Sequence, residues 1–175
     1  MVQANIRQTP QPTSSLAYAD DWLARDHDIE TPVYLVIEIP PASTGVQATR
    51  WSIGWRVGGL TEGDMKAWRQ LAIEASAHLV DMDEPSQYAY RGPLTKTLCP
   101  AAVAAKWCMV TNTTLAVRKR IEELAKTTDI ATSGEAETLE QASQKWTQRL
   151  LEEMAAFNLI AAERREQVVA QAHDS

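Results

Sequence analysis

Apolar and polar positions alternate most cleanly in two neighbouring stretches. In Thr31–Ile39, Val33, Leu35, Ile37 and Ile39 fall on one side, with Tyr34, Val36 and Glu38 on the other. Both sides are fairly apolar, which predicts an inner strand. In Gln47–Val57, Trp51, Ile53, Trp55 and Val57 alternate with Arg50, Ser52, Gly54 and Arg56, as on a half-buried strand. Pro40, Pro41 and Gly45 punctuate the segment between them, so the two strands are expected to pair as an antiparallel hairpin. A lone hairpin is marginal in water, so helices or further strands must cover it. Lys106–Thr111 is one candidate for an added strand, although its KWCMVT pattern fits a helix equally well.

Helical spacing dominates the rest. Ser14 or Ser15 can cap a short helix to about Arg25, with Leu16, Ala19, Trp22 and Leu23 on one face. After Gly58-Gly59, a stripe of Met65, Trp68, Ala72, Ala75 and Leu79 predicts a helix over about 62–80, opened by Thr61 and Asp64 as a capping pair. A long connection, Asp81–Cys99, follows, and Pro100 suits the first turn of another helix. Leu115–Lys126 reads as helical beyond a break at Asn112–Thr114, with Leu115, Ile121, Leu124 and Ala125 inward. From Glu135 to about Ala172 neither Gly nor Pro interrupts, and Leu139, Ala142, Trp146, Leu150, Met154 and Phe157 recur at spacings of three, four or seven. One continuous helix there would run roughly 55 Å. A compact domain of this length is about 40 Å across, so the helix must kink or project toward a partner.

These elements predict an α+β fold, mainly helical, with an N-terminal antiparallel β-hairpin packed on helices and a long C-terminal helix. The expected organisation is a disordered Gln-, Pro- and Thr-rich arm over 1–13, a core domain over 14–128, and the helix over 135–172. The chain's 175 residues suffice for one core without disulfides. Cys99 and Cys108 show no CxxC or metal-type spacing and read as reduced thiols in a cytoplasmic protein. Neither a secretory signal pattern nor a long apolar span is present, so no membrane partner is expected.

Charge adds one asymmetry. The net charge is −6, yet from Pro85 to Ile121 there is no Asp or Glu, while Arg91, Lys96, Lys106, Arg118, Lys119 and Arg120 all fall there. Tyr88, Tyr90 and Trp107 interleave with these cations, and Arg50 and Arg56 share one face of their strand. Cations beside aromatics suit stacking on bases or docking on an acidic protein surface. Elsewhere the chemistry is thin. Gly58-x4-Gly63 is followed by Asp64 where a phosphate loop needs Lys. His78 and Asp81, with Asp83 or Glu84, are the only grouping with metal-ligand spacing, and they read as a solvated helix end. His27 stands between Asp26 and Asp28 with no nucleophile motif nearby, and His173 lies in the tail.

Together these features predict a non-enzymatic protein-interaction module: a regulator, adaptor or assembly subunit without catalytic residues, metal or cofactor. Its docking residues would be Arg50, Arg56, Tyr88, Tyr90, Arg91, Lys96, Arg118, Lys119 and Arg120. Trp146, Leu150, Met154 and Phe157 would form an assembly helix for another protein or a second copy of the chain. A nucleic-acid-binding accessory protein using the same basic window is the alternative, and a metal-dependent enzyme at His78 and Asp81 is a distant third.

Overall fold

The computed structural model describes residues 24–39, 49–59, 66–75, 88–96, 105–130 and 138–174. Five antiparallel strands form the main sheet: β1 (Thr31–Glu38), β2 (Arg50–Val57), β3 (Ala67–Leu71), β6 (Leu94–Lys96) and β7 (Ala105–Thr113). Their order is β6-β3-β2-β1-β7, while β4 (Ile73–Ala75) and β5 (Tyr88–Tyr90) pair as a separate two-stranded sheet. Three helices follow: α1 (Leu115–Thr127), α2 (Leu139–Ala156) and α3 (Ala162–His173). The fold is therefore a sheet-rich α+β. Strand accounts for 36% of the described residues against 39% helix, which corrects the expectation of a mainly helical protein.

Three sequence expectations account for that correction. The helix expected over 62–80 is two strands where it is described, β3 and β4. The connection over 81–99 contains β5 and β6, and the ambiguous KWCMVT segment is strand β7, paired along β1. The hairpin itself is as expected, with Val33 opposite Trp55, Leu35 opposite Ile53 and Ile37 opposite Trp51. Strand β3 misled because its alternation is inverted. Trp68 faces away from the core, whereas Arg69 lies fully buried within it, 3.9 Å from the Glu122 carboxylate on α1. The arm, the first helix, the Gly58–Gly63 loop beyond Gly59, Cys99 and the group His78, Asp81, Asp83 and Glu84 lie outside the described residues.

The helices pack on the sheet face that carries Val33, Leu35, Ile37, Trp51, Ile53, Trp55 and Val57, making one core with Ile121, Trp146, Leu150 and Met154. A buried cation organises one end of it. The Arg118 guanidinium, without exposed surface, donates to Asp26 at 2.8 Å and to the carbonyls of His27, Ile29 and Thr113. Asp26 also accepts the Trp55 indole N–H at 3.0 Å. One guanidinium thus ties the segment before β1 to the end of β7 and the start of α1.

The expected long C-terminal helix is instead two helices. A capping box at Thr138 and Gln141 starts α2. At its end Asn158 takes a positive φ of 56°. The Leu159 N–H donates to the Met154 carbonyl at 2.8 Å and the Asn158 N–H to Ala155 at 3.0 Å. This is a Schellman closure with Asn in the left-handed position, so α3 turns back along the sheet rather than projecting. Val168 and Ala172 bury α3 against the core. Register shifts between Val33 and Tyr34, where Thr111 and then Met109 are the β7 partners, so Val110 is the extra residue of a bulge. Arg164 of α3 donates to the carbonyls of Met109 and Val110 at that bulge.

Candidate functional site

The sheet's second face carries no helix among the described residues. Strand period puts Tyr34, Val36 and Glu38 of β1 there, with Arg50, Ser52, Gly54 and Arg56 of β2. Trp68 and Gln70 of β3, Leu94 and Lys96 of β6, and Trp107 and Met109 of β7 complete it by register. Trp68 and Trp107 come from strands three positions apart, roughly 14 Å at normal strand spacing. Their ring centroids nonetheless stand 4.4 Å apart, so both indoles lie down across β2 and β1. Tyr34 meets Trp107 at 5.6 Å and Trp68 at 6.3 Å, both edge-on. The three rings form a low roof, and Val36 beneath it is fully buried although it is not part of the helix-side core.

Gly54 is the reason the roof can sit low. It lies between Tyr34 and Gln70 in register, and a Cβ there would come within 3.1 Å of the Arg69 carbonyl oxygen and 3.6 Å of Val36. Cations flank the rings. Arg56 and Lys96 are the two register neighbours of Trp68, and both are exposed. Met109 adds an apolar side chain that is 47% exposed at the β7 end of the face.

The sequence-derived docking residues do not stay together. Arg50, Arg56 and Lys96 share the helix-free face. Tyr90 instead stacks on Trp146 at 5.4 Å and packs, with Tyr88, against the core. Arg91 is exposed in the short turn between β5 and β6. The Arg118–Arg120 run is divided by the helix. Arg118 is internal, Lys119 pairs with Glu122 at 2.9 Å, and Arg120 lies over the Phe157 ring at 5.1 Å. Of the expected assembly residues, Trp146, Leu150 and Met154 are core, and only Phe157, 53% exposed, stands at the surface.

No protein-family model, curated protein or solved structure matches this chain. Among the described residues no group of three or more His, Cys, Asp or Glu side chains is placed to hold a metal. His173 packs its ring against Trp51 at 5.0 Å at the end of α3. Cys108 is a buried free thiol whose pKa is pushed up by burial, with Lys106 and Arg164 partly opposing the shift. No described helix is long and apolar enough to cross a membrane.

Tyr34, Trp68, Gln70 and Met109 were missed as site residues. For Tyr34 and Met109 a signal was present, because β1 and β7 carry apolar side chains on both faces, whereas Trp68 and Gln70 lie on β3, whose pattern hid the strand. The surplus apolar face is the site.

Proposed function

We propose that the protein is a non-enzymatic docking module that captures an acidic segment of another protein on its helix-free sheet face. The observation that carries this is the Tyr34–Trp68–Trp107 roof, flanked in register by Arg56 and Lys96. Trp, Tyr, Met and Arg are the side chains enriched at the energetic centres of protein interfaces, and this face presents all four. Among the described residues Arg50, Arg56 and Lys96 take part in no ion pair, and Arg56 and Lys96 stand beside the rings where an acidic partner would meet them. A cytoplasmic setting belongs to the same proposal and is supported by the free Cys108 thiol.

Nucleic acid is the weaker occupant. Stacked bases need open ring faces, whereas the three rings here meet one another at angles of 49°, 61° and 84°. The chain's net charge of −6 also opposes a polyanion at long range.

The test is a fluorescence titration, read through the roof indoles, with an acidic peptide carrying interspersed Leu and Phe and with single-stranded DNA of matched charge. Peptide binding that weakens with salt, and that falls roughly tenfold or more in the Arg56→Glu, Lys96→Glu double variant, is expected. Binding unchanged in that variant, or tighter binding of the oligonucleotide than of the peptide, would overturn the proposal. Light scattering reports whether a second copy of the chain is the occupant instead.

A further inference from the structure

Residues 1–23 join the described fold at Ala24, and the contacts there set which sheet face lies next to them. The Arg25 carbonyl accepts the Gly58 N–H at 2.8 Å, just past the end of β2. Ala24 is only 1% exposed and belongs to the helix-side core, while the Asp26 carboxylate is held by Arg118 and the Trp55 indole. The helix side is thus filled at this rim. Arg56, on the helix-free face, is two residues before Gly58 and so about 7 Å from it along the strand. It is exposed, and Trp68 is its register partner.

The segment next to this junction, Ser14–Leu23, has the chemistry that the face is suited to take. It carries Leu16, Tyr18, Trp22 and Leu23 around Asp20 and Asp21, and from Gln8 to Ala24 there is no Lys or Arg. Arg56 and Lys96 stand on the strands either side of Trp68, so those strands are about 10 Å apart and two adjacent carboxylates can answer one cation each. The reach fits as well. Gly54, under the aromatic roof, is four residues or about 13 Å from Gly58, and the ten residues of Ser14–Leu23 cover about 15 Å even when helical. A segment tethered this close competes at an effective concentration on the order of millimolar, so weak individual contacts suffice.

We propose that Ser14–Leu23 docks on the helix-free face of its own chain and holds it until an external acidic segment displaces it. Its aromatic and leucine side chains meet the Tyr34–Trp68–Trp107 roof, and Asp20 and Asp21 face Arg56 and Lys96. This rests on the reading of that face as a dock for acidic segments and adds the regulation of the same site: the external partner binds by exchange with an internal copy of its own chemistry.

The experiment uses the full chain in a Cys99→Ser background, with a nitroxide on Ser15→Cys and amide-proton NMR. Line broadening at Arg56, Trp68 and Lys96, but not at Gln148 or His173 at the far end of the helix side, is expected. Asp20→Lys with Asp21→Lys should remove it, as should Arg56→Glu with Lys96→Glu, and all four changes together should restore it. In the Asp20→Lys, Asp21→Lys variant the acidic peptide should bind about tenfold tighter than in the unaltered chain. No broadening at those three residues, or broadening that survives both charge reversals, would overturn the proposal. Broadening that appears only between spin-labelled and isotope-labelled copies in a mixed sample would do the same, because a second chain would then supply the segment. The two readings fail separately. Equal peptide affinity with and without the Asp changes removes the internal competitor and leaves the dock, whereas broadening without any peptide binding keeps the internal contact and removes the external partner.

Discussion

Replacing Arg118 by methionine should be among the most damaging single changes in the molecule. The guanidinium makes six hydrogen bonds, three of them to the Asp26 carboxylate. Those to the carbonyls of Ile29 and His27 are only partly buried, and water can replace the lost donor there. The Thr113 carbonyl and Asp26 are sealed, and the Asp26 side chain is 4% exposed. Arg118→Met would thus leave a buried carboxylate supported by the Trp55 indole alone. Breaking a buried pair on one side costs about 3–5 kcal/mol. At about 2–4 °C per kcal/mol for a chain of this size, that lowers Tm by roughly 6–20 °C. Urea unfolding followed by Trp emission measures it, with Trp55 as a local reporter. Arg120→Ala, two residues on but exposed over Phe157, is the control and should cost less than about 1 kcal/mol. In an Asp26→Asn, Arg118→Met double variant the orphaned charge is gone while Trp55 keeps an acceptor, so the loss should fall well below the sum of the single losses. Equal costs for Arg118→Met and Arg120→Ala would refute the reasoning and return Arg118 to the surface.

Gly54→Val should destabilise by about 1–3 kcal/mol, by pressing on the Arg69 carbonyl and lifting the aromatic roof, and near-UV circular dichroism should change with it. Asn158→Val forces a β-branched residue into the left-handed region and should cost about 1–2 kcal/mol in urea unfolding, whereas Asn158→Gly should be within a few tenths of neutral. Thr138→Ala removes the capping box of α2 and should cost about 1 kcal/mol by the same measure. In a Cys99→Ser background, Cys108 should resist a thiol reagent until the protein unfolds. Its raised pKa keeps the folded thiol protonated after the unfolded one ionises. Stability from this group is therefore present below the unfolded thiol's range near pH ~8.5 and is lost as pH rises beyond it, a slope that Cys108→Ala should remove.

What the sequence made legible follows from how each segment distributes its polarity. Thr31–Ile39 and Gln47–Val57 could be read because period two survives in both, and their pairing followed from their adjacency. Leu115–Lys126 could be read because its inward positions keep helical spacing. Strand β3 could not, since Trp68 points to the open face and Arg69 into the core, the reverse of what polarity suggests. The pairing that stabilises Arg69 is with Glu122, more than fifty residues away, and no local pattern carries it. The break after α2 is carried by Asn158, which supplies the left-handed stop that Gly more often marks in a sequence. Arg50, Arg56 and Lys96 were found from charge alone. Tyr34, Trp68 and Trp107 become a cluster only through strand order, which brings β3 and β7 side chains together over two intervening strands.

The Arg164 contact at the β7 bulge has a bearing on how the protein behaves when shortened. Among the described residues strand β7 is the longest in the sheet and lies at its border, so its outward amides and carbonyls form a template on which another extended chain can grow. Arg164 and the rest of α3 lie over that border and plug its irregular point. A chain cut before Ala162 keeps α2 and the core facing it but bares the template. Such a fragment should polymerise strand to strand, gaining mass rather than losing it. The last helix is in this sense a guard against unwanted fibres.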